Sequence, residues 1–130
     1  MAMIIIGGVA IVLVANGGWM LLAPDQWFFA TPIVWRTGVP NPHFIRDVGW
    51  TYAAVGVLMI CGLFTERFRT TSLMLALGWL AGHAAIHLGE VATGVCTGRQ
   101  FLSESPQVWG PPILLMIGVA LGRKRKRSTE

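Results

Sequence analysis

Residues 1–23 read MAMIIIGGVAIVLVANGGWMLLA and contain no charged side chain. At ~1.5 Å per residue, a helix of that length crosses the ~30 Å hydrocarbon layer of a bilayer. The run has no basic leading region and no small-residue cleavage site, the marks of a secretory signal peptide. It is therefore expected to remain as a first membrane-spanning helix over about residues 2–23. Asn16, followed by Gly17 and Gly18, is its polar interruption, and it suits a close approach and a hydrogen bond to a neighbouring helix.

The remainder of the chain extends the same class. Of 130 residues, 54% are hydrophobic and only 12% charged, against about 25% charged in soluble domains. Three more apolar runs follow, at about 42–64, 71–91 and 108–122. Asn41-Pro42 has the form of a helix start, with Asn as N-cap and Pro in the first turn. Thr65–Thr70 reads as a tight charged turn and 92–107 as a polar loop. Gly78 and Gly82 form a Gly-x-x-x-Gly pair suited to close packing. Between the first two runs, Asp25–Val39 interleaves Trp27, Phe28, Phe29 and Trp35 with polar residues, a pattern that favours the headgroup level. The expected architecture is all-α: one membrane-embedded domain, a four-helix bundle, with an interfacial aromatic segment across its mouth.

A net charge of +4 does not point to nucleic acid, because five of the ten basic residues form one tail, Arg123–Arg127. Such a tail anchors topology on the cytoplasmic side and meets lipid headgroups. Arg67, Arg69 and the tail place seven basic residues on one side, against Arg36, Arg46 and Arg99 on the other. Positive-inside counting then puts both termini in the cytoplasm and the two longer loops outside. Trp19, Trp27, Trp35, Trp50 and Trp109 all fall near the outer boundary. Two cysteines, Cys61 and Cys96, are too few for a disulfide framework.

Ionisable groups in such segments are costly and mark candidate sites. His83, His87 and Glu90 lie on one stripe of the third helix by their three- and four-residue spacing. His43 and Asp47 share a stripe at the start of the second helix. The antiparallel topology places His43, Asp47, His87 and Glu90 at the outer ends of their helices and His83 about one turn deeper, with Asn16 and Arg46 nearby in support. Imidazoles and carboxylates at this spacing on facing helices suit metal coordination in a bundle. His43, Asp47, His83, His87 and Glu90 are accordingly the candidate ligands of zinc, iron, copper or manganese. Haem held by histidines from two helices is a variant of the idea. Cys96 is a further possible ligand. The protease pattern His-Glu-x-x-His is absent, since Ala84 follows His83. Two other readings compete: a structural polar cluster, with His83 bonded to Asn16 and Arg46 paired to Asp47 or Glu90, and a proton or small-solute path.

The segment 37–52, with Asn41, His43, Phe44, Arg46 and Asp47 at its centre, resembles an uncharacterised bacterial family of small four-helix membrane proteins. There a Gly/Pro-rich loop leads into an Asn-x-His-Phe-x-Arg-Asp motif that opens the second helix. The resemblance implies the bundle architecture and joint action of His43, Arg46 and Asp47; it implies no activity. The expected location is a bacterial inner membrane. The functional expectation is a membrane protein binding a metal ion or metal cofactor. Its alternatives are an accessory subunit of a larger membrane complex, a homo-oligomer, or proton-coupled transport of a small solute.

Overall fold

The computed structural model describes residues 1–32 and 34–127, and among them it is all-helical, with no strand. The expected headgroup contacts of Arg123–Arg127 lie outside the described side chains. Six α-helices follow in order: α1 (Ala2–Leu22), α2 (Pro24–Ala30), α3 (Pro42–Phe64), α4 (Glu66–Ala92), α5 (Gly98–Val108) and α6 (Gly110–Arg127). A 3-10 turn covers Val34–Thr37. α1, α3 and α4 are each long and apolar enough to cross a membrane, whereas the apolar part of α6, Gly110–Gly122, is shorter. At most a third of each spanning window is buried inside the protein. Most of the apolar surface of these helices therefore faces outward, as side chains do when lipid is the solvent.

Local chemistry explains where the helices begin and end. Asn41 caps α3, its Oδ1 accepting the Phe44 N–H at 3.2 Å, with Pro42 in the first turn. At the other end of α3, Arg69 donates through Nε to the Gly62 carbonyl at 3.2 Å and through its terminal nitrogen to that of Leu63 at 3.1 Å. These carbonyls have no partner within their own helix, and a cation there also complements the helix dipole. Arg69 holds that post from inside α4. The charged stretch expected as a turn is thus almost wholly helical, with Thr65 alone separating α3 from α4.

Two more departures change the architecture around the site. The expected polar loop contains α5, opened by a capping box in which Thr97 Oγ1 accepts from Gln100 N and the Gln100 side chain returns to the Thr97 N–H. The aromatic segment after α1 folds as α2 and the 3-10 turn. Its Phe28 buries with Met20 and Ile45, and Trp27, Val34, Val48 and Tyr52 pack around them.

α1 is the central element, packing on α3 and α6, while α4 packs on α3, α5 and α6. Ile6, Val9, Ala10 and Leu13 of α1 meet Met59 of α3, Leu73, Ala76 and Leu80 of α4, and Leu115 of α6 in one core. The α1–α3 contact is backbone against backbone. A Cβ on Gly17 would lie 2.5 Å from Ala53 N and Gly49 O, and one on Gly56 would lie 2.8 Å from Ala10 O. Only glycine fits there, the small-residue packing that lets two helices approach main chain to main chain. The expected Gly78/Gly82 pair plays no such part, because a Cβ on either meets nothing within 4 Å.

Candidate functional site

A cavity of about 1180 Å³ opens beside α1. Its wall on α1 repeats every four residues, through Ile4, Gly8, Val12, Asn16 and Met20. One helical face therefore lines it along nearly the full length of α1. Leu114 of α6 and Val48 of α3 add apolar wall. Polar groups gather at the end where α1 finishes: Asn16, Trp27, Tyr52, His83, His87, Glu90, Cys96, Gln100 and Glu104.

These groups are tied to one another. The Trp27 Nε1–H donates to Asn16 Oδ1 at 2.9 Å, and Asn16 Nδ2 lies 3.6 Å from Met20 Sδ. Tyr52 Oη and His83 Nε2 are 2.9 Å apart, the donor being set by the imidazole tautomer. The His83 ring stacks parallel to Trp79 at 5.7 Å and meets His87 edge-on at 4.9 Å between centroids. His87 Nδ1 faces Glu104 Oε2 at 3.2 Å and Glu90 Oε2 at 3.6 Å. Cys96 Sγ lies 3.8 Å from Glu90 Oε2. The Cys96 thiol is pushed above its usual range by burial first, then by the charges of Glu90 and Glu104 and the bond to Glu90. Polar groups of α3, α4 and α5 thus meet in two sets, Tyr52 with His83, and His87 with Glu90, Glu104 and Cys96, which touch through the ring contact of His83 and His87. An imidazole beside carboxylates can exchange a proton with a polar group entering the cavity.

The expected site residues divide. His83, His87, Glu90 and Asn16 converge on the cavity. His43 and Asp47 do not line it; their side chains are 88% and 66% exposed, and they face each other at 3.6 Å on the first turns of α3. Arg46 pairs with neither expected carboxylate among the described residues; its Nε donates to the Leu21 carbonyl at the end of α1, at 3.2 Å. His83 bonds to Tyr52 and not to Asn16. The five-residue ligand set is therefore not assembled, and among the described residues no three His, Cys, Asp or Glu side chains form a group that could hold a metal ion. Haem ligation by histidines of two helices lacks its pair as well, since His83 and His87 share α4 and His43 stands outside the cavity.

Glu104, Gln100, Tyr52 and Trp27 were not candidates on sequence grounds. The signal for the first two was present in Thr97-x-x-Gln100, the capping box that starts α5. No family model matches this chain, and neither does any curated protein or solved structure.

Proposed function

We propose that this chain is a multi-pass membrane protein that binds an amphipathic, lipid-soluble molecule along α1. In this reading α1, α3, α4 and α6 form a four-helix bundle with both termini cytoplasmic, as the asymmetry of basic residues favours. The polar end of the cavity then lies near the outer face of a bacterial inner membrane.

The observation that carries the reading is the cavity's polarity along its length. From Ile4 to Met20 it follows α1 over sixteen residue steps, about 24 Å at ~1.5 Å per residue. The wall is aliphatic for most of that distance and ends in hydrogen-bonding groups. At about 1180 Å³ it exceeds the ~300–1,000 Å³ typical of compact ligands. An extended acyl or isoprenoid chain matches the apolar part, and the polar linkage at its end matches the groups around Tyr52, His83, His87 and Glu104.

The test is extraction of protein purified in mild detergent, with mass spectrometry of what is released. One amphiphile per chain is expected. Gly8→Trp should deplete it, because Gly8 lines the cavity and a Cβ there meets nothing within 4 Å. A protein that releases no amphiphile and takes up none would overturn the reading. Stoichiometric metal in elemental analysis, lost in His87→Ala, would replace it with a metal centre.

A further inference from the structure

Beside the large cavity lies a second, of about 550 Å³, lined by Pro32, Trp35, Arg36, Thr97, Arg99, Gln100 and Ser103. Pro32, Arg36 and Gln100 line both, so the two spaces adjoin. Their electrostatics differ. The carboxylates of the large cavity, Glu90 and Glu104, turn to His87. The lining of the smaller cavity holds, among the described residues, no acidic side chain and two guanidinium groups instead. Among the described residues neither Arg36 nor Arg99 reaches a carboxylate within 4 Å. Arg36 lies over the Trp35 ring, its Cζ 4.9 Å from the centroid, at the edge of this space. The cap and first turn of α5 supply the opposite wall through Thr97, Arg99 and Gln100.

We propose that this space is the headgroup subsite for the molecule bound along α1, and that the headgroup is a phosphate ester recognised by Arg36 and Arg99. The inference rests on the amphiphile reading above and deepens it by naming the ligand class: a lipid phosphate. Guanidinium groups match phosphate oxygens in paired hydrogen bonds, which an uncharged head cannot reproduce. Ser103 and Gln100 add neutral polar groups, and Trp35 supplies a surface of the kind that sits at headgroup depth. The chain enters the large cavity past Pro32, Arg36 and Gln100, and the ester region passes the His87–Glu104 pair.

The full-length protein in uncharged detergent is titrated by native mass spectrometry with dioleoyl phosphatidate, dioleoyl phosphatidylcholine and dioleoylglycerol, and with inorganic phosphate as a competitor. Phosphatidate should bind one to one and at least about tenfold tighter than dioleoylglycerol, a charge-assisted contribution. The double variant Arg36→Gln with Arg99→Gln should erase that preference while dioleoylglycerol still binds. Both arginines are exposed, so the variant is expected to fold, and its melting temperature is checked alongside. Equal binding of phosphatidate and dioleoylglycerol, or a preference surviving in the double variant, overturns the headgroup subsite and leaves chain binding intact. Displacement of phosphatidate by inorganic phosphate at similar affinity reassigns the subsite to a soluble anion. Failure of all three lipids to bind overturns the amphiphile reading as well.

Discussion

The two sides of α1 are built on opposite rules. Towards α3 the helix presents Gly17 to Ala53 and Gly49, and Ala10 to Gly56, so that main chains touch and no space is left. Along the cavity it presents Ile4, Gly8, Val12 and Asn16 to open volume. Glycine occurs on both sides, and the outcome depends on what stands opposite. The difference separates a seam that holds the fold from a surface free to take a ligand. It is broken most directly by adding side chains. Gly17→Leu or Gly56→Leu should cost about 3 kcal/mol or more, the upper end of overpacking penalties, because main-chain atoms stand within 3 Å opposite each and cannot yield. Gly82→Leu, with nothing near it, should be neutral or slightly stabilising. Thermal unfolding in detergent reads both. Equal losses at Gly17 and Gly82 would mean that the seam is not where the fold is held.

The same contrast applies to the two histidine–carboxylate pairs. His87 and Glu104 are 24% and 14% exposed, whereas His43 and Asp47 are 88% and 66% exposed. His87→Ala leaves the Glu104 carboxylate without its nearest partner and should cost about 1–3 kcal/mol. His43→Ala removes a surface pair worth about 0–1 kcal/mol. Tyr52→Phe, which strips one neutral hydrogen bond from His83 Nε2, falls between them at about 1 kcal/mol. Denaturant or thermal titrations in detergent give the order directly. A loss at His43 matching that at His87 would return His43 and Asp47 to the working site.

What the sequence made legible follows from periodicity. The apolar runs mark α1, α3 and α4, Asn41-Pro42 marks the start of α3, and the spacing of His83, His87 and Glu90 puts them on one stripe. Spacing says which residues share a stripe but not which way the stripe turns. That is why His43 and Asp47 satisfy the same rule and still face outward. Likewise, Gly-x-x-x-Gly at Gly78 and Gly82 is a pattern within one helix, while the real seam needs glycines on two helices at matching heights. α5 was hidden by its polarity: few of its residues are apolar, so Thr97 and Gln100 were the available sign of a helix. Without α5 there was no means of bringing Glu104 to His87.

The smallest expected effect probes the open side of α1 from the loop that closes it. Cys96 sits against Glu90, and burial together with the charges of Glu90 and Glu104 raises its thiol pKa. Alkylation proceeds through the thiolate, so at a fixed pH below that pKa the rate follows the small deprotonated fraction. Removing one negative charge lowers the pKa and enlarges that fraction. In a Cys61→Ala background, which leaves one thiol, Glu90→Gln should therefore speed iodoacetamide labelling at pH 8 by about two- to fivefold. The acceleration should shrink as the pH rises through the thiol pKa, where both proteins are fully ionised. His43→Ala should leave the rate unchanged. A labelling rate indifferent to Glu90→Gln at every pH would detach Cys96 from the carboxylates, and with it the closure of the polar end over His87.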